Sequence, residues 1–201
     1  MPRLNLTEEE TRTLILDNAD RLFTEIGYDK TTVADIARAC GFSSSNVHRV
    51  FGTKAVINRA IAERKLSGKL DMARAAIAKE ETAAGRLGAF YQTIFNINRT
   101  IFTEHQRVHH MVSVAIEERW EEVRAYRMGL MQIGREIIEY GIERGEFYVE
   151  DVEGATRALH ASGIRFCHPL AVAEMESEDD DVSLENWLTF VLRALGSKPS
   201  A

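Results

Sequence analysis

The sequence predicts an all-α protein of about nine helices, and three observations predict it. Only three prolines occur in 201 residues, Pro2, Pro169 and Pro199, so long stretches hold nothing that breaks a helix. Apolar residues recur at spacings of three and four along most of the chain. No stretch alternates apolar and polar residues over a useful length, and no internal repeat is present.

The first helix is expected over 8–26. Thr7-Glu8-Glu9-Glu10 is a capping-box pattern, in which Thr7 and Glu10 satisfy each other's end of the turn. Ile15, Ala19, Leu22, Phe23 and Ile26 then form one apolar face, and Gly27 stops it by tolerating a left-handed conformation. Thr32, with Asp35 three residues on, caps a second helix over 33–39 whose buried stripe is Val33, Ile36, Ala37 and Cys40. Gly41 breaks that helix, and Ser43 caps a third over 44–51. Two short helices joined by a tight glycine turn make a helix-turn-helix. Thr53 caps a long helix over 54–79, which links a domain at 1–53 to a helical body at 54–201. Further helices are expected over 82–103, 106–118, 120–145, 152–176 and 184–195. Pro169 should kink or divide the 152–176 helix near His168, because a proline disfavours αR in the residue before it. Glu174 to Asp181 holds six acids in eight residues and reads as a solvated loop.

Composition narrows the function. With 45% apolar and 28% charged residues the chain is an ordinary globular protein, which excludes wholesale disorder. The net charge of −6 hides an asymmetry: residues 38–65 hold six basic groups against the single acid Glu63. A basic block in an acidic chain suggests one face that meets a polyanion. Cys40 and Cys167 cannot make a disulfide framework, and Cys40 reads as a small core residue. No signal peptide is visible and no apolar run is long enough to span a bilayer, so the expectation is a soluble, cytoplasmic chain with no membrane partner.

In the third helix Val47, Val50 and Phe51 share one side, leaving Ser44, Ser45, Asn46, His48 and Arg49 outward or at the edges. Small polar groups followed by a flat ring and a guanidinium suit a major groove, where base edges and phosphates offer acceptors. The helix starts at Thr32 and Lys54 offer N–H groups as phosphate clamps, with Lys54 adding a charge. Thr31-Thr32-Val33-x-Asp35-Ile36-Ala37-x-Ala39-x-Gly41-Phe42-Ser43, followed by Val47-His48-Arg49-Val50-Phe51-x-x-Lys54, resembles the N-terminal signature of the tetracycline-repressor (TetR) family of bacterial regulators. The resemblance covers about residues 8–60. It implies a homodimer of nine-helix chains whose first three helices bind a palindromic double-stranded operator through Thr32, Ser43, Ser44, Ser45, Asn46, His48, Arg49 and Lys54. It also implies a fourth helix that links this domain to a body holding a small-molecule pocket and the dimer interface. One departure is His48, where that family usually has tyrosine; histidine keeps a flat ring and a donor.

The body says less. Phe90, Tyr91, Ile94, Phe95, Met111, Trp120, Tyr126, Met128, Met131 and Phe166 are candidates to line an effector cavity, and such residues serve equally as plain core. Ala158, Ala161 and Ser162 permit close helix approach, and Leu184, Trp187, Leu188, Val191 and Leu195 form a stripe; the resemblance assigns both to a four-helix dimer interface. His105, His109 and His110 are read as structural or surface residues rather than metal ligands, and no cofactor is expected. No Gly-rich phosphate loop, G-x-S-x-G or H-E-x-x-H is present, which argues against an enzyme. The reading is a DNA-binding regulator, a repressor released by a small molecule. A sequence-independent DNA-binding module is the alternative, and a metal-dependent enzyme a distant one.

Overall fold

The computed structural model describes residues 6–104, 120–175 and 183–196, without the side chains of 101–104, 173 and 174. Ten helices occur among the described residues: α1 (Glu8–Glu25), α2 (Val33–Cys40), α3 (Ser44–Phe51), α4 (Lys54–Ile77), α5 (Ala83–Glu104), α6 (Glu121–Glu143), α7 (Val152–Ser162), α8 (Ile164–Cys167), α9 (Pro169–Met175) and α10 (Leu184–Ala194). No strand is found among those residues, and no described helix is long and apolar enough to cross a membrane. The helix expected over 106–118, Met111 and the three histidines His105, His109 and His110 lie outside the described residues, as does most of the acidic run from Glu174.

Two compact units form, Met1–Lys65 and Leu66–Ala201, and α4 contributes to both. In the first unit Ile15, Ala19, Leu22 and Phe23 of α1 are buried with Ile36 and Ala37 of α2, Val47 and Phe51 of α3, and Ile57 and Ile61 of α4. Capping boxes start α1 and α2, as the Thr7/Glu10 and Thr32/Asp35 spacings require. Gly41 closes α2 at φ +70, a conformation that a side chain resists, and its neighbour Phe42 donates back to Ala37 O at 2.8 Å. That turn sets α3 against α2. Arg64 and Lys65 of α4 pair with Asp17 and Asp20 of α1 at 2.6 and 2.7 Å.

The second unit is built around Leu87, Phe90, Tyr91 and Ile94 of α5 and Leu130, Ile133, Ile137 and Ile138 of α6. Leu159, Phe166 and Trp187 complete it through a chain of rings: Phe90–Tyr91, Tyr91–Trp187 and Phe166–Trp187 centroids lie 4.9, 4.4 and 5.3 Å apart. The single helix expected over 152–176 is instead three, which is why the count exceeds nine. Its first break is at Gly163, where a Cβ would meet Tyr91 at 2.6 Å and Trp187 at 2.9 Å, so only glycine lets both rings reach the backbone. The second is at His168, extended at φ −87, ψ 123 ahead of Pro169, as the proline dictates.

Candidate nucleic-acid interface

Val47 and Phe51 anchor α3 in the first unit's core, at 1% and 5% exposure. Their spacing turns the other side outward: Ser45, His48 and Arg49 are exposed, and Ser44 and Asn46 are half-buried at the edges. Ser43 caps the helix, its hydroxyl accepting the Asn46 N–H at 3.3 Å. The exposed side chains are held rather than loose. Arg49 Nη2 donates to Asn46 Oδ1 at 3.0 Å, which lays the guanidinium along the helix surface. His48 Nδ1 lies 2.6 Å from Gly52 O; since a carbonyl only accepts, that nitrogen carries a proton.

The two helix starts differ from expectation. Thr32 does cap α2, but its N–H donates to Asp35 Oδ2 at 3.0 Å and its hydroxyl to the same oxygen at 2.6 Å. The bare N–H expected at Thr32 is therefore occupied, and the correction has a simple cause: a capping box supplies its own anion. The Thr32 hydroxyl and N–H hold the Asp35 carboxyl below its usual range, with Arg38 helping from 3.0 Å. Lys54 is half-buried; its ammonium donates to Tyr28 O at 2.8 Å and Thr31 O at 3.0 Å and sits 4.2 Å over the Tyr28 ring. It pins the start of α4 to the α1–α2 loop and keeps one N–H of its three beyond those bonds. Arg12, over the Phe51 ring at 4.5 Å and 3.4 Å from Val50 O, brings a further cation to the end of α3. Tyr28 and Arg12 escaped sequence reasoning because their partners lie far along the chain.

In the body three of the candidate cavity residues border one small space. Phe90, Tyr91 and Met131 border a space of about 10 Å³ together with His160 and Cys167, room for about one water. Ile94, Phe95, Trp120, Tyr126 and Phe166 pack in or beside the core, and Met128 lies outside it, 56% exposed on α6. Sequence reasoning missed a buried polar pair here. Lys69, 8% exposed, donates to Asn98 Oδ1 at 2.9 Å, and Asn98 donates to Cys167 O at 2.7 Å. The Tyr126 ring is 5.8 Å from the Lys69 ammonium, and its buried hydroxyl has no partner among the described residues. The signal was present: Leu66, Lys69, Leu70 and Ala73 share one stripe, and so do Leu87, Tyr91, Ile94 and Asn98. Burial pushes the Cys40 thiol up to about 11 and that of Cys167 to about 12, so neither is a reactive thiolate near neutrality. Among the described residues no group of three metal-binding side chains forms.

The residues expected to pair two copies divide into two sets. Ala158, Ala161 and Ser162 are exposed on α7. Leu184, Trp187, Val191 and Leu195 are buried within the chain's own core, and Leu188 is half-buried against it. The outward side of α10 presents Phe190, 67% exposed, and Ile164 beside Gly163 is 48% exposed.

Residues 15–61 match the family described as "Bacterial regulatory proteins, tetR family", and residues 83–186 match "Tetracyclin repressor-like, C-terminal domain". No curated protein matches the chain. Among solved structures, the fatty acid degradation regulator FadR from Bacillus halodurans is 18% identical, with 92% of this chain and 94% of that one covered and a TM-score of 0.60. A TetR/AcrR-family transcriptional regulator from Thermobifida fusca is 22% identical over 95% and 99% of the two chains, with a TM-score of 0.60. RolR in complex with resorcinol is 21% identical over 95% and 90%, with a TM-score of 0.57. These likenesses concern the fold.

Proposed function

We propose that this chain, which belongs to the tetR family of bacterial regulatory proteins, is a cytoplasmic, homodimeric repressor that leaves a palindromic operator when a small molecule binds its body. The observation that carries the reading is the face of α3: a helix capped at Ser43, pinned by Val47 and Phe51, with Ser45, His48 and the braced Arg49 outward. A rigid helix with short polar groups at its start fits a major groove, and a braced guanidinium loses little freedom on taking a guanine edge. His48, held through Nδ1, adds a flat ring whose Nε2 is left to meet the DNA. Lys54 and Arg12 flank the helix as phosphate contacts.

Two copies meet through Ala158, Ala161 and Ser162, with Phe190 and Ile164 as the apolar residues that contact buries. The effector engages the body near Lys69, Asn98 and Tyr126, three buried donors grouped within the second unit. Because the adjoining cavity holds about one water, binding selects a more open body, and that preference shifts the population away from the DNA-bound form. The regulatory role assigns no catalytic residue.

Footprinting with full-length protein tests this directly. Paired half-sites about 34–36 Å apart, or a multiple of that, are expected on one face of the DNA. Arg49→Ala should relax preference at one base position, costing about 1–3 kcal/mol there, while Lys54→Ala should weaken all sequences alike and flatten the salt dependence. Equal affinity for unrelated DNA would favour a sequence-independent module.

A further inference from the structure

We propose that a groove between the end of α4, the start of α5 and the middle of α6 is a second ligand site, which takes a small organic monocarboxylate through Arg86. The groove encloses about 260 Å³, just below the range of drug-sized pockets and enough for one ring with its acid group. Half-buried Ile77 gives the groove apolar surface, with the core residues Ile133 and Ile137 beneath it, which suits a hydrocarbon body better than a bare inorganic anion.

Arg86 is built for the charged end. Its Nε donates to Glu80 O at 3.1 Å, and its guanidinium carbon lies 3.4 Å from the centre of the Tyr140 ring. Tyr140 is itself fixed, its hydroxyl donating to Glu81 O at 2.8 Å. Neither Nη group of Arg86 donates to any described residue. A planar fork is thus clamped at one edge and stacked on one face, with its terminal donors left to grip two oxygens of one carboxylate. The freedom such a contact normally costs has already been lost in folding. The groove displays the same chemistry once over: Arg74 holds the Glu136 carboxylate at 2.7 and 3.5 Å. With that pair neutralised, Arg86 leaves the lining with one net positive charge. None of Lys69, Asn98 and Tyr126 belongs to this groove, so the site is independent of the effector reading.

Benzoate is the probe and benzamide its uncharged counterpart, read by thermal shift and calorimetry on the full-length protein. Benzoate should raise Tm in a saturable way and benzamide should not. Arg86→Gln should weaken benzoate about tenfold or more, the loss expected for a charge-assisted pair. Ala78→Trp, a change at an exposed position on the groove's edge, should block it without touching the core. Lys69→Met should leave benzoate affinity intact. No benzoate shift up to its solubility limit, an equal shift with benzamide, or undiminished binding in Ala78→Trp overturns the proposal. Binding lost in Lys69→Met but kept in Arg86→Gln also overturns it, and places benzoate in the core instead.

Discussion

Both α3 and α10 are short amphipathic helices that begin alike: Ser43 accepts from the Asn46 N–H, and Ser183 from the Asn186 N–H. Each sends its apolar stripe inward, Val47 and Phe51 in one, Leu184, Trp187 and Val191 in the other. They differ in what is left outside. On α3 the remainder is serine, histidine and arginine, groups that water satisfies until a polyanion replaces it. On α10 the remainder includes the Phe190 ring, which water does not satisfy. A stripe therefore names the face that folding buries, while the residue left over names the partner. On α10 the stripe packs into the chain's own core, and Phe190 is what it leaves outside.

The largest expected effect breaks that comparison if it is wrong. Trp187→Ala removes a ring packed on Tyr91 and Phe166 and should cost about 3–5 kcal/mol in a denaturant titration. Were Trp187 an interface residue instead, the variant would dissociate with the stability of the single chain intact. Phe190→Glu should do what Trp187→Ala does not: sedimentation should show dimer weakened by about 2 kcal/mol or more, as for a buried aromatic anchor, with helix content unchanged. An undisturbed dimer would remove Phe190 from the interface.

How much was legible follows from range along the chain. The ends of α1, α2 and α3 were readable to within a residue or so because caps and glycine stops are decided by three or four neighbours. The outward face of α3 followed from Val47 and Phe51 for the same reason. What escaped is non-local. Lys54 bonds to carbonyls 23 and 26 residues back, and Lys69 reaches Asn98 from 29 residues away. Thr32 is a different failure: the capping box and the phosphate clamp were both read from one N–H, and it can serve only one acceptor at a time.

Thr32→Ala sharpens that point with a smaller effect. Losing the hydroxyl that accepts from Asp35 N–H and donates to its carboxylate should cost about 1 kcal/mol of stability. Because its own N–H is committed to Asp35, the salt dependence of operator binding should not change. A flatter salt dependence would return Thr32 to the phosphate contacts.

The smallest expected effect separates the two units by pH. His160, half-buried on α7 beside that small space, binds its proton less readily than a free histidine, first because burial penalises the charged ring and second because Arg127 is near. The unfolded chain, with an ordinary histidine near about 6.5, then takes up a proton that the folded chain resists. The stability this confers is complete above about 6.5 and is lost as pH falls from there through the depressed folded value. Glu10, Asp35 and Glu136, all held below their usual range by hydrogen bonds, titrate too low to contribute in that window. Urea midpoints between about pH 5 and 8 should therefore decline on the acid side for the wild type and flatten in His160→Gln. Melting followed through the body's tryptophans, Trp120 and Trp187, should carry the slope. A slope that survives His160→Gln would assign the titration to another group and leave the body's core insensitive to this ring.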